Sequence, residues 1–284
     1  MSRRIDPRHV GVSVIVPAYN EGARLPHTLS ALLAGLARLD TRAEVLLVDD
    51  GSIDDTAGVA ARHLAAMRDV RILQLPWNCG KGAAIRAGVS LARGAVVVVL
   101  DADVVTDLDD LARLLSLLDT ADIALGSRPA SAPGASRRTA TRQVAAAVFR
   151  GLVKNLTSAP LSGSHCGIKA FRAPVAKLLF GMTTSTGFGF DVEVLSLART
   201  LGFCVVDCPV HSTATDPRHI SLRRHGRGML HDLHRARRHR QRAGAAVWEQ
   251  SVYPAEPRLT PGASGGPHLS VKRPSYFDPA TEGA

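Results

Sequence analysis

The chain has 284 residues, enough to bury a sizeable core, and its 45% hydrophobic content excludes a disordered protein; with aromatics at only 4%, Leu, Val and Ala must do most of the packing. Its 35 Lys and Arg against 25 Asp and Glu give a net charge of +10 and a pI near 10.2, so an anionic partner is expected, whether nucleic acid, acidic lipid or a phosphorylated small molecule. Cys79, Cys166, Cys204 and Cys208 form no CxxC pair, which excludes the usual structural zinc, and no apolar run approaches the roughly 18 residues of a membrane span; with no signal peptide at Met1, a cytoplasmic chain with free thiols is expected.

Residues 1–10 read as a flexible arm. From Gly11 to about Leu125, short apolar runs alternate with segments of helical period, the pattern of a βαβ sheet. The runs are Val12–Val16, Val45–Val48, Val70–Leu75, Ala95–Leu100 and Ile123–Leu125. Each is too short for a helix and predominantly apolar, as suits a parallel strand covered on both faces. Between the first two, Leu25, Leu29, Leu32, Leu33, Leu36 and Leu39 recur at helical spacing and predict one helix with an apolar stripe. Ser52 with Asp55, and Thr106 with Asp109, have the spacing of capping boxes, predicting helix starts directly after the second and fourth strands.

After Gly126 the chain becomes basic, with Arg128, Arg137, Arg138 and Arg142, and then helical from Val144 to Leu156. That helix is amphipathic, suited to core packing or to a membrane interface. A second βα region follows: a run at Cys166–Phe171, helical stretches near Pro174–Phe180 and Asp191–Leu201, and a run at Phe203–Val210. Between Arg223 and Arg242 stand eight arginines, four histidines and Asp232 as the single acid, a composition suited to phosphates. From residue 243 onward, dense Pro and Gly predict a disordered tail. One α/β domain over 11–242 is expected, in two halves that divide at about residue 128.

In an open α/β sheet, ligands sit at the carboxyl ends of the strands. Here those ends carry Pro17-Ala18-Tyr19-Asn20-Glu21, Asp49-Asp50-Gly51-Ser52 and Asp101-Ala102-Asp103. Asp and Asn favour turns in any case, but both Asp49 and Asp50 are more than one N-cap requires. A carboxylate there can accept hydrogen bonds from a ribose or base edge. Asp101 and Asp103, at i and i+2 where a buried strand ends, point the same way. Two carboxylates so placed repel unless protonated or bridged by a hard cation such as Mg2+ or Mn2+, which can also clamp a diphosphate. Asn78-Cys79-Gly80-Lys81-Gly82 matches neither GxxxxGK[ST] nor GxGxxG, yet Lys81 between glycines at a helix start can reach a phosphate.

Taken together, Val14 to Glu21, Val48 to Ser52, Asn78 to Gly82 and Asp101-Ala102-Asp103 resemble family 2 glycosyltransferases in order and spacing. The resemblance extends to the dolichol-phosphate and polyprenyl-phosphate sugar synthases through Gly126-Ser127-Arg128, Cys166-Gly167-Ile168-Lys169 and Asp191-Val192-Glu193, and it covers roughly residues 11–240. It implies a GT-A fold, with a mainly parallel α/β sheet flanked by helices, its donor half at about 11–128 and its acceptor half at about 129–242. It also implies an inverting hexosyltransferase that moves a sugar from a nucleotide-diphosphate donor to a polyprenyl phosphate. Pro17, Tyr19, Glu21, Asp49, Asp50, Asn78, Lys81 and Asp101 are then expected at the donor nucleotide, and Asp101 and Asp103 on the metal. Asp103 and Asp191 are the expected catalytic pair, Asp191 positioning the acceptor, or acting as a base if the acceptor is a hydroxyl. Arg128, Arg142, Arg223 and Arg224 are expected on the acceptor phosphate, with peripheral membrane association.

Val105 stands where mannosyl members often carry Gln, making UDP-glucose the preferred donor and GDP-mannose the second. Gly163-Ser164-His165 replaces the family's usual Asp-x-Gln, so the acceptor site differs there. A soluble acceptor is the alternative. A basic nucleic-acid-binding module is a third reading, disfavoured because no stacking aromatics interleave with the arginines; no nucleic-acid partner is expected.

Overall fold

The apolar runs become strands because each is short, rich in β-branched residues and ends at a turn signal. The computed structural model describes residues 10–105, 108–127, 167–187, 190–211 and 213–214. The expected N-terminal arm through residue 9, the helix following Arg142, the basic segment 223–242 and the tail from 243 lie outside these residues.

In chain order the elements are β1 (Val12–Ala18), α1 (Leu25–Leu36), β2 (Ala43–Asp49), α2 (Thr56–Leu64), β3 (Val70–Gln74), α3 (Lys81–Leu91), β4 (Val96–Leu100) and β5 (Val104–Val105). There follow α4 (Leu108–Leu117), β6 (Ile123–Ser127), β7 (Ile168–Arg172), α5 (Ala173–Met182), α6 (Phe190–Thr200), β8 (Val205–Pro209) and β9 (Thr213–Ala214). Seven strands form one sheet in the order β3-β2-β1-β4-β7-β6-β8, while β5 and β9 pair separately. The sheet runs without a break across the expected half-boundary at residue 128.

Alternation along the strands sorts the core into two layers. Val14 and Val16 of β1, with Val45 and Leu47 of β2, pack with Leu25, Leu29, Leu64 and Leu114 of α1, α2 and α4. Their neighbours Ile15, Leu46 and Val48 pack on the other face with Ile85, Val89, Leu179 and Phe190 of α3, α5 and α6. On that second face Phe171 and Phe180 meet edge to face with centroids 5.4 Å apart. Among the described residues no helix is long and apolar enough to cross a membrane.

One local expectation is corrected. The Ser52/Asp55 capping box does not form: α2 starts at Thr56 and Asp55 makes no capping bond with its side chain. Ser52 Oγ instead accepts the Asn20 N–H at 2.9 Å, tying the loop after β2 to the loop after β1. The Thr56 N–H is served by Asp54 Oδ1 at 3.1 Å. The run at Cys166–Phe171 does become a strand, β7, but it lies antiparallel to both neighbours, β4 and β6. Thr106 of the second expected box lies outside the described residues.

At the opposite, amino edge of the sheet, Glu44 is 1% exposed and gathers a knot of donors. Ser13 Oγ donates to it at 2.5 Å, the Arg93 N–H at 2.7 Å, Arg93 Nε at 2.9 Å and Arg71 Nη2 at 2.8 Å. Burial is the largest single influence on its carboxyl and by itself would raise the pKa. The Ser13, Arg93 and Arg71 hydrogen bonds together outweigh it and hold the pKa below the ordinary glutamate value. A depressed pKa contributes stability that is complete above the unfolded value of about 4.3 and is lost as pH falls through the folded value. Glu44→Gln is therefore expected to lower stability at pH 7 and to lose that penalty in acid. Denaturant unfolding of both proteins across pH 3 to 7 measures the convergence; a penalty independent of pH would contradict it.

Candidate active site

The site assembles at the carboxyl edge of β1, β2 and β4, where the acidic loops emerge. Pro17 and Ala18 end β1 in buried positions, and Tyr19 is 39% exposed beyond them. Asn20 adopts a left-handed backbone, φ 53°, and its Oδ1 accepts the Ile53 N–H at 2.9 Å. Glu21 is nearly buried; its N–H donates to Thr56 Oγ1 at 2.9 Å and its Oε2 pairs with Arg24 Nη1 at 2.9 Å. The loops after β1 and β2 are thus laced into one rim.

Asp49 ends β2 and Asp50 follows it, both buried. Asp49 Oδ1 accepts the Ser52 N–H at 2.9 Å. Asp50 takes the Cys79 N–H at 2.7 Å and the Gly80 N–H at 2.9 Å, one on each oxygen. Burial, helped by the charge of Asp49, pushes the Asp50 carboxyl up despite those two bonds. Asp50 therefore shapes the turn that leads into α3. Gly51, the next residue, is required: its φ is +69°, and a Cβ there would lie 2.4 Å from the Trp77 backbone. Asn78 is exposed on that turn.

Lys81 opens α3 and points back over the sheet edge. Its Nζ lies 2.7 Å from Asp101 Oδ1 and 5.9 Å from the centre of the Phe190 ring. Burial, the largest influence, would depress the Lys81 ammonium, but Asp101, Asp191 and Asp103 together outweigh it and raise its pKa. One cation therefore senses all three carboxylates. Burial and then the negative charge of Asp101 push the Asp103 carboxyl above the ordinary aspartate range.

The Asp101–Asp103 loop is held from three directions. Asp101 N–H donates to Gly167 O at 2.7 Å, and Thr28 Oγ1 of α1, fully buried, donates to Ala102 O at 2.8 Å. Immediately after, Val104 and Val105 pair antiparallel with Ala214 and Thr213. The antiparallel course of β7 brings its first residues to this edge: Ile168 lies opposite Leu100 and Lys169 opposite Val99. Lys169 is 4% exposed, and its Nζ lies 3.0 Å from Asp191 Oδ1 in the first turn of α6.

The structure thus brings together Lys81, Asp101, Asp103 and Asp191 from three sequence motifs, and adds Lys169 and Thr28. Lys169 stood within the Cys-Gly-x-Lys motif without an assigned role. Thr28 carried no signal, because a threonine on an apolar helix face reads as packing. Arg128, Arg142, Arg223 and Arg224 lie outside the described residues.

A divalent cation suits this donor set. Two neighbouring carboxylates, one with its pKa raised by burial and by the other, lose their mutual repulsion when a hard cation bridges them. Among the described residues no group of three or more His, Cys, Asp or Glu side chains could hold a metal. One or two carboxylates completed by substrate phosphates and water is how Mg2+ is usually bound.

Residues 13–180 match the profile described as Glycosyl transferase family 2, more than half of the chain. The chain belongs to glycosyltransferase family 2. This transferase is 32% identical over 222 residues to a dolichyl-phosphate beta-glucosyltransferase of Trichomonas vaginalis, covering 74% of the chain and 68% of that relative. It is also 32% identical over 217 residues to the human protein of that name, covering 71% and 67%. A glucosyl-3-phosphoglycerate synthase from Mycobacterium tuberculosis, solved with Mn2+, UDP-glucose and phosphoglyceric acid, superposes with TM-score 0.62 at 20% identity over 80% of each chain. That likeness is one of fold, and the transferase has the GT-A architecture expected from its motifs. Family membership favours the enzyme over a nucleic-acid-binding module.

Proposed function

We propose that the transferase moves glucose from UDP-glucose to a dolichyl or other polyprenyl phosphate, with inversion at the anomeric carbon. The observation that carries the reading is the convergence of Lys81, Asp101 and Asp103 beside the ion pair of buried Lys169 with Asp191, in a chain whose relatives are named for glucosylation of dolichyl phosphate. Pro17, Tyr19, Glu21, Asp49 and Asn78 line the nucleotide, while Asp50 shapes the turn that presents Lys81. Asp101 and Asp103 hold Mg2+ or Mn2+, which when bound neutralises charge developing on the departing diphosphate. Lys81 supplies a second positive charge at the same phosphates.

An acceptor phosphate with a second pKa of about 6 is already an anion near neutrality and needs little deprotonation. Its oxygen attacks C1 as the bond from C1 to the UDP oxygen breaks, in one displacement. The protein's task is then orientation. Arg128, Arg142, Arg223 and Arg224 engage the acceptor phosphate, and Asp191, anchored by Lys169, positions it. An acceptor with a hydrocarbon tail also calls for peripheral association of this otherwise cytoplasmic enzyme with the membrane surface.

The test uses purified protein, UDP-glucose or GDP-mannose labelled in the sugar, Mn2+, and either a detergent-dispersed polyprenyl phosphate or 3-phosphoglycerate. Label passing from UDP-glucose into an organic-soluble, mild-acid-labile product is the expected result. Label appearing only in a water-soluble product of 3-phosphoglycerate would overturn the acceptor assignment, and transfer from GDP-mannose alone would overturn the donor.

A further inference from the structure

Glu193 is a fully buried carboxylate with no part in the chemistry described above. It lies two residues beyond Asp191 on α6, on a different side of the helix. Its Oε2 accepts the Ser185 N–H at 2.9 Å, and the Thr184 N–H lies 3.3 Å from both of its oxygens. Thr184 and Ser185 belong to the segment following α5. The carbonyls of that segment face α3: Thr186 O accepts the Gly82 N–H at 2.9 Å, and Ser185 O accepts Arg86 Nη1 at 2.7 Å.

The contact is tight enough to need both glycines around Lys81. A Cβ at Gly80, whose φ is +94°, would lie 2.4 Å from Thr186 O. One at Gly82 would lie 2.5 Å from Ser185 O and 2.9 Å from Phe190 Cβ. The backbone on both sides of Lys81 is therefore seated on a segment from the other end of the fold, and Glu193 holds that segment by its amides.

The geometry points to Glu193 as a positioning residue for the donor phosphates, acting through the 184–186 segment to set Lys81 against Asp101. The inference rests on Lys81 serving the donor, as proposed above. It places the lysine that meets the donor under the control of the helix that carries Asp191, so the donor and acceptor sides of the site share one mechanical support. Rotation of that helix moves both.

The test is a double-mutant cycle read by calorimetric binding of UDP-glucose in Mn2+. In Glu193→Gln the side chain keeps its size, but one neutral oxygen in place of a carboxylate is left to accept the Ser185 and Thr184 amides, with the NH2 turned to the Thr184 hydroxyl. If Glu193 acts through Lys81, Glu193→Gln weakens donor binding about tenfold in the wild type and less than about twofold in Lys81→Met, because the two changes remove the same interaction. A merely structural role would lower the melting temperature and leave the binding loss equal in both backgrounds, and that result would overturn the inference while leaving the donor assignment intact. Unchanged donor affinity in Lys81→Met alone would remove the donor role of Lys81 and the inference with it. Should Glu193→Gln not fold, Gly82→Ala pushes the same segment away from the α3 side and enters the same cycle.

Discussion

Replacing Asp103 with alanine is expected to abolish the Mn2+-dependent binding of UDP-glucose and to lower kcat by about three orders of magnitude. Two carboxylates carry the cation in the proposed site, and among the described residues no third acid, His or Cys completes a cluster that could replace one. The same substitution is expected to raise the melting temperature of the metal-free protein. The Asp103 carboxyl has its pKa raised by burial and by Asp101, so its ionised form is less favourable in the folded chain than in the unfolded one. That cost is present at neutral pH and vanishes as the group protonates. A thermal-shift series with and without Mn2+ and UDP-glucose reads both effects. The wild type gains stability from the pair of ligands, whereas the variant starts higher and gains nothing. Donor binding that ignored both the metal and the substitution would remove Asp101 and Asp103 from the metal site.

Lys169→Met is expected to cost up to about 3 kcal/mol of stability, because it removes the buried partner of an ion pair and leaves Asp191, 17% exposed, with only the more distant charge of Lys81 to offset its own. Lys169 sits in the middle of the sheet, between Val99 of β4 and Leu125 of β6, where methionine fits the volume without the charge. Asp191 would lose an ammonium at 3.0 Å and with it the contact that orients its carboxylate. The expected kinetic signature is a fall in kcat with metal-dependent donor binding retained, since Asp101, Asp103 and Lys81 are untouched. Adding Asp191→Asn should recover part of the lost stability without recovering turnover, because the uncompensated charge is then removed. Denaturant unfolding and donor calorimetry on the single and double variants provide the check. If the double variant were as unstable as the sum of the singles, the pair would not be coupled.

The strand ends that carry the candidate site were legible in the sequence. Apolar runs ending in Asn20-Glu21, Asp49-Asp50 and Asp101-Ala102-Asp103 place acids at strand ends, and the strands form where those runs stand. The Leu25 to Leu36 stripe packs as its period requires, with Leu25, Leu29, Leu32 and Leu36 buried. The Ser52 capping box failed because a hydroxyl at a strand end has more than one amide within reach, and spacing in sequence does not say which it takes. Asn20 lies 32 residues away and wins. The direction of β7 was not legible either, since an apolar run bears no mark of parallel or antiparallel pairing.

The α/β class, the positions of the described strands and the loops that bear acids could be read from residue period and turn chemistry, because these act over a few neighbours. Tertiary structure alone decided which of those groups act on one another. Lys81 reaches Asp101, Lys169 reaches Asp191, Thr28 holds Ala102 and Glu193 supports the turn at Lys81 through contacts made between different elements. Such pairings depend on strand order, on the reversed course of β7 and on which helix covers which face. These are properties of the packed sheet, in which burial excludes water and makes each partner's charge count.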